Sequence, residues 1–118
     1  MICQQFDIWL ADLNPANSRV KAATGKIRPV LIIQTDLLNN LPHVSTLVCP
    51  ITSGTVKGAS ILRIPLKRCI ANLPRGSAVM IDQIRAIDHK RLLEKLGTLP
   101  MPFVEQVKKH ILLVFDIY

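Results

Sequence analysis

No apolar stretch in the first 87 residues runs far before a turn signal cuts it. "FDIWLADLNP" places Ile8, Leu10 and Leu13 in alternation and stops at Asn14-Pro15. "RPVLIIQT" and "VSTLVCPI" are short apolar runs, the first opening at Pro29 and the second closing into the loop "TSGTVKG". "ASILRIPL" alternates and ends at Pro65-Leu66, and "SAVMIDQIRAID" turns polar at Asp82-Gln83 after an apolar core from Val79 to Ile81. Runs this short, rich in β-branched residues and bounded by Pro, Gly and Asn, are strands and not helices. Pro29 fits a strand start, where its missing N–H does no harm.

Between these runs, "ANSRVKAATGK" is a long loop without useful periodicity, a kind that is often functional in a compact domain. "DLLNN" reads as one helical turn with Asp36 as its N-cap, and "KRCIANLPRG" as a connection. After Ile87 the character changes. "DHKRLLEKLG" predicts a helix capped by Asp88, packed through Leu92, Leu93 and Leu96 and stopped at Gly97. "PFVEQVKKHILLVFDIY" predicts an amphipathic helix with Phe103, Val104, Val107, Ile111 and Val114 on one face and Pro102 in its first turn. Strands first and helices last imply an α+β fold built on a small, strongly bent antiparallel sheet or barrel.

The 118 residues suit one domain, 1–118, and 49% hydrophobic residues supply a core. No apolar run reaches the ~18 residues of a membrane span, and the start "MICQQFD" lacks the pattern of a signal peptide. The expectation is a soluble, cytoplasmic protein. Cys3, Cys49 and Cys69 are odd in number and show no CxxC spacing, so neither a disulfide framework nor a zinc site is expected. Cys49, inside "TLVCPI", reads as a small core residue.

Charge is distributed unevenly. The segment between Leu13 and Ile81 holds nine bases against one acid, Asp36, a net +8 within a chain of net +7. Such a field concentrates polyanions, nucleic acid first among them. It also serves solubility, and composition alone does not separate the two readings.

No phosphate-binding glycine loop, GxSxG or HExxH occurs, and the acids form no metal-binding cluster. His43, His89 and His110 stand singly, the last two expected at the surface beside lysines. No metal or other cofactor is expected. Three polar groups remain where core strands meet loops: Arg28 at the start of one strand, Thr52 and Ser53 at the end of another, and Asp82, Gln83 and Arg85 at the end of a third. Loop-borne groups on a rigid sheet are common binding residues. An arginine can hold a phosphate bidentately and a hydroxyl can donate to its oxygens. Each of these residues could equally satisfy local strand-end hydrogen bonds.

"DIWLADLNP", "GKIRPVLIIQTD", "LVCPITS", "VMIDQIRAID" and "KLGTL" resemble, in order, the motifs of the MazF/PemK family of toxin endoribonucleases, from Asp7 to about Leu99. The resemblance implies an SH3-like small barrel with a C-terminal helix, forming a homodimer. It implies the toxin of a type II toxin–antitoxin system, cutting single-stranded RNA (mRNA, or rRNA or tRNA) at a short motif. Cleavage would be metal-independent and leave a 2′,3′-cyclic phosphate and a 5′-hydroxyl, halting translation and growth. The cognate MazE-like antitoxin would thread an acidic tail through the RNA groove, and any DNA contact would be indirect, through that antitoxin.

By position the resemblance assigns Arg28 to stabilising the transition-state phosphate and to acid catalysis, and Thr52 to holding the phosphate and relaying the 2′-hydroxyl proton. It places Ser53, Asp82, Gln83 and Arg85 along the RNA groove. Arg19, Lys21 and Lys26, on the loop from Asn17 to Lys26, and Lys57 would meet the flanking strand. The chain departs from the pattern at three positions. Phe6 stands where many members have Gly, Ala23 where many have Glu, and Met80 where some have Arg. The general base is thereby left open. Two other readings compete: a non-catalytic inhibitor acting by protein contact, like the CcdB toxins that poison gyrase, and an RNA-binding relic without turnover.

Overall fold

The computed structural model describes residues 2–14, 27–42, 44–53, 61–66, 70–74 and 76–117. Arg19, Lys21, Ala23, Lys26, His43, Lys57 and Cys69 therefore lie outside the described residues. Seven strands form one antiparallel sheet: β1 (Asp7–Asp12), β2 (Ile27–Ile32), β3 (Ser45–Ser53), β4 (Arg63–Pro65), β5 (Ser77–Met80), β6 (Arg85–Asp88) and β7 (Leu92–Thr98). Their order is β4-β5-β3-β2-β1-β7, with β6 also paired to β3. A short helix α1 (Asp36–Asn39) follows β2, and α2 (Met101–Phe115) ends the fold. The sheet with its terminal helix is the small α+β architecture expected from the order of elements.

The apolar runs are continuous because both faces of the central strands are buried. Leu31, Cys49 and Ile51 point into a cluster with Ile8, Ile64, Val79 and Ile81, covered by Val104 and Val107 of α2. Their neighbours Val30, Ile32 and Val48 point the other way, packing with Trp9, Ala11, Ile87 and Leu92. Asp7 is 2% exposed. Its carboxylate accepts from the Gln4 N–H at 2.9 Å and Trp9 Nε1 at 3.2 Å, and Lys95 Nζ lies 3.4 Å away.

The stretch read as a single strand from Ser77 to Asp88 is two. β5 pairs β3 with Ile51 opposite Val79, and β6 pairs β3 with Val48 opposite Arg85. The register steps by three residues between them, taken up by a 3-10 turn at Ile81–Gln83. Ile81 tucks into the core while Asp82 and Gln83 are lifted out of the sheet. On β3 the unpaired interval on that side is Cys49-Pro50, and Pro50 has no N–H to offer a partner there.

Three local expectations are corrected. "LLEKLG" is strand β7, not helix. β7 bulges twice against β1, between the Ile8↔Gly97 and Trp9↔Lys95 pairs and again between Leu10↔Glu94 and Ala11↔Leu92. Each bulge adds a residue, and the three leucines expected on one helical face separate: Leu92 packs into one cluster, Leu96 against the other, and Leu93 is exposed. Asp88 does cap, but it caps a 3-10 turn at His89–Arg91, accepting from the Lys90 N–H at 2.9 Å. The N-cap of α1 is Thr35, whose hydroxyl accepts from the Leu37 N–H at 3.3 Å. Asp36 instead accepts from the Gln5 N–H at 2.6 Å, tying the N-terminal segment to α1. The strand expected over "ASILRIPL" is confined, among the described residues, to Arg63–Pro65.

The terminal helix forms as the periodicity predicts, with Val104 and Val107 buried and Phe103 and Ile111 half-buried. Val114 is exposed, so the buried face ends before the last turn. His110 lies on α2, with Nδ1 2.7 Å from the Ile61 carbonyl oxygen, and His89 is half-buried beside Cys3.

Candidate functional site

The proline after Arg28 holds that arginine in extended backbone. Arg28 is clamped from one side by β1, opposite Ala11. On the other side, the β2–β3 ladder sets Val30 opposite Pro50 and Leu31 opposite Cys49. The paired residues end there, and Arg28 and Thr52 lie two residues beyond them on their strands, lining one cleft. Both side chains then fall on the same face by the two-residue period of strands. Thr52 is itself held by β5, opposite Ala78.

A cleft of about 300 Å³ opens there, lined by Ile27, Arg28, Pro29, Ile51, Thr52, Ser53, Pro74 and Ser77. Arg28 and Ser53 are exposed and Thr52 is half-buried. Ser77 donates its hydroxyl to the Pro74 carbonyl at 2.6 Å and so fixes the floor. A second depression, about 270 Å³, lies on the other flank of Arg28 and is lined by Leu13, Pro50, Met80, Gln83 and Arg85. It coincides with the ladder gap at Pro50, where the 3-10 turn leaves the sheet and brings Gln83 toward Arg28. Arg28 is common to both hollows.

Five residues singled out from sequence thus meet around one surface: Arg28, Thr52, Ser53, Gln83 and Arg85. Arg28 and Arg85 make no hydrogen bond or ion pair through their side chains among the described residues. Asp82 turns elsewhere. Its carboxylate accepts from Arg63 of β4 and forms an ion pair with it, and Gln83 Nε2 lies 3.4 Å away. Partial burial pushes the Asp82 carboxyl up, but the hydrogen bonds from Arg63 and Gln83 and the Arg63 charge outweigh it and hold the group below its ordinary value. Leu13, Pro74, Ser77 and Arg63 were not anticipated, and Met80 was noted only as a departure from the family pattern. The turn residues "LPRGS" were the one signal for Pro74 and Ser77.

Cys49 is fully buried, and burial pushes its thiol up to about 12, with Asp82 adding to the effect. It is core, not nucleophile. Among the described residues no group of three or more His, Cys, Asp or Glu converges as a metal site would, and no helix is long and apolar enough to cross a membrane.

Among the described residues, unpaired guanidiniums beside hydroxyls at the mouth of an antiparallel sheet packed on α2 define a class: small α+β proteins with a cationic strand-end cleft. Residues 4–115 match the family described as PemK-like, MazF-like toxin of type II toxin-antitoxin system, and the chain belongs to that family. It is 36% identical to Endoribonuclease MazF of Staphylococcus epidermidis over 90 residues, 76% of this chain and 72% of that protein. It is 31% identical to Endoribonuclease EndoA of Bacillus subtilis over 107 residues, 91% of this chain and 89% of that one. The solved structure of Mycobacterium tuberculosis toxin MazF-mt6 superposes with a TM-score of 0.75 at 25% identity, covering 95% of this chain and 98% of that one.

Proposed function

We propose that this toxin is an endoribonuclease that cuts single-stranded RNA by attack of the ribose 2′-hydroxyl on the adjacent phosphodiester. The observation that carries the reading is that Arg28 of β2 and Thr52 of β3 line one cleft, two groups suited to one phosphate. The 2′ oxygen forms a bond to phosphorus and the bond from phosphorus to the 5′ oxygen breaks, giving a 2′,3′-cyclic phosphate and a 5′-hydroxyl. No protein nucleophile and no metal takes part.

Arg28 supplies charge. Its fork of donors holds two phosphate oxygens and stabilises the negative charge that builds on them, a contribution of a few kcal/mol. Arg28 also hands the departing 5′ oxygen its proton and regains one from solvent in the open cleft. The Thr52 hydroxyl holds a non-bridging oxygen and relays the 2′ proton outward. Ser53, Gln83 and Arg85 hold the strand on either side of the scissile phosphate, Gln83 through base edges, as single strands are read. Arg19, Lys21, Lys26 and Lys57 extend the cationic path.

The protein acts as a homodimer in the cytoplasm. Its antitoxin partner lays an acidic segment over the same cations, so inhibitor and substrate compete for Arg28 and Arg85. The test is incubation of the purified protein with a long single-stranded RNA in EDTA, beside Arg28→Ala and Thr52→Ala. Discrete products ending in cyclic phosphate from the wild type, with at least a hundredfold loss in each variant, are expected. An absence of products from all three on several RNAs would sink the reading.

A further inference from the structure

A second cationic hollow lies away from the Arg28 cleft, between β4 and the first turns of α2. It measures about 310 Å³ and is lined by Arg63, Phe103, Gln106, Lys109 and His110, with Ile64 and Pro65 at its base. Its lining contains no acid. Lys109 is exposed and makes no ion pair among the described residues, although Glu105 precedes it by one helical turn. His110 faces the Ile61 carbonyl through Nδ1 at 2.7 Å, which orients the ring and leaves Nε2 for another partner. Phe103 is half-buried and contributes an aromatic surface, and the Gln106 amide offers donors and an acceptor beside it.

Arg63 is the link. One of its terminal nitrogens donates to Asp82 and to the Leu62 carbonyl, but its Nε is enclosed without any hydrogen-bond partner. A buried donor left unmet is destabilising, and a shift of the guanidinium toward the hollow would bring it to an acceptor there. Arg63 also pairs in register with Met80, which lines the depression shared by Arg28, Gln83 and Arg85. The two hollows are thus separated by the Asp82-Gln83 turn. Asp82 reaches to Arg63 on one side, and Gln83 borders the cleft on the other.

We infer that the β4–α2 hollow is a distal subsite for one nucleotide of the bound RNA, its base on Phe103 and Gln106 and its phosphate on Arg63 and Lys109. The inference rests on the RNA reading of the main cleft and extends it past the turn. Stacking on an aromatic surface combined with phosphate capture is the common way single strands are held. The phosphate competes with Asp82 for Arg63, so filling the hollow frees Asp82 beside Gln83.

The test uses 2′-O-methyl oligoadenylates of about four and about nine nucleotides, which the 2′-hydroxyl chemistry cannot cut, with affinity read by fluorescence anisotropy at two salt concentrations. Wild type, Lys109→Glu, Gln106→Glu and Arg28→Ala are compared; Lys109 and Gln106 are exposed, so their variants keep the fold. The long probe is expected to bind wild type about tenfold tighter than the short one. Lys109→Glu and Gln106→Glu should erase that gain without changing the short probe. Lys109→Glu should also lower the salt slope for the long probe by about one, the share of one phosphate contact. Arg28→Ala should weaken both probes.

If both variants bind the long probe as wild type does while Arg28→Ala still weakens it, the subsite is overturned and the main cleft stands. If wild type binds neither probe, the RNA reading itself fails. If Lys109→Glu loses only an added polyglutamate peptide, the hollow belongs to an acidic protein segment and the inference is overturned.

Discussion

Gly97 of β7 packs against Ala71 so closely that a β-carbon on Gly97 would sit 2.9 Å from Ala71 Cβ. Ala71 and Asn72 form a tight turn in left-handed backbone, with φ 52° and 58°, closed by the Leu73 N–H on the Ile70 carbonyl at 2.9 Å. Gly97→Ala should lower stability by about 1–3 kcal/mol through overpacking. In an Ala71→Gly background the next contact of that β-carbon is the residue-71 α-carbon at 3.5 Å, an ordinary contact, so the same change should cost much less. Urea titrations of the four proteins give the coupling, and simple additivity would contradict the packing argument.

Phe6 adopts φ 67°, a conformation that favours glycine. Its backbone is held at both ends, donating to the Ile32 carbonyl at 2.6 Å and accepting from the Leu99 N–H at 2.9 Å. The ring packs on the main core, with Lys108 Nζ 5.8 Å from its centre. Phe6→Ala loses the ring and keeps the strain; Phe6→Gly loses the ring and releases it. Both should destabilise, with the Gly variant more stable than the Ala variant by about 1 kcal/mol. Thermal or chemical melts that rank Ala above Gly would refute the strain argument.

The Arg63–Asp82 pair gives an acid-side dependence of known sign. The folded carboxyl sits below its ordinary value of 3.8. Its stabilising effect is therefore present above the unfolded value and lost as pH falls through the lower, folded one. Asp82→Asn should cost at most about 1 kcal/mol at neutral pH, since the pair is partly exposed. The difference from wild type should shrink as pH falls below about 4. Denaturant curves from pH 7 to 3 measure it, and a gap that widens toward acid would be the wrong sign.

With its thiol pushed up to about 12 by burial, Cys49 should resist iodoacetamide at pH 8 in the folded protein and react once unfolded in urea. Peptide mapping by mass spectrometry distinguishes the two states. Rapid labelling of native Cys49 would mean the core opens far more than its packing allows.

Arg28→Lys retains a charge and loses the planar fork. Turnover of single-stranded RNA should fall by about a hundredfold, while binding of an uncleavable oligomer changes only a few-fold. Equal losses in both would reassign Arg28 from transition-state stabilisation to simple binding.

Much of the fold was readable because its local signals agree with its tertiary demands. Pro65 and Pro102 mark an element's end and start, whereas Pro29, expected to open its strand, is the third residue of β2 because Ile27 and Arg28 already pair with β1; the two-sided burial of β2 and β3 appears directly as unbroken apolar runs. β7 was not readable, because Leu92, Leu93 and Leu96 stand at helical spacings in the sequence, while in the bulged strand Leu92 and Leu96 pack into opposite clusters and Leu93 is exposed. The break at Ile81–Gln83 was hidden as well. Nothing local in "SAVMIDQIRAID" shows that β3 offers a gap at Pro50, and it is that gap which decides where the strand must leave.

The site divides in the same way. Residue types and their order were enough to mark Arg28, Thr52, Ser53, Gln83 and Arg85 as cations, hydroxyls and an amide at strand ends, because strand ends follow from apolar period and turn residues. Their meeting is a matter of register, which links positions 24 residues apart in the chain through hydrogen bonds that no local signal encodes. The same holds for Asp82. Its neighbours in sequence point to the cleft, but a 3-10 turn reverses its side chain toward Arg63, a partner supplied by a strand at the far edge of the sheet.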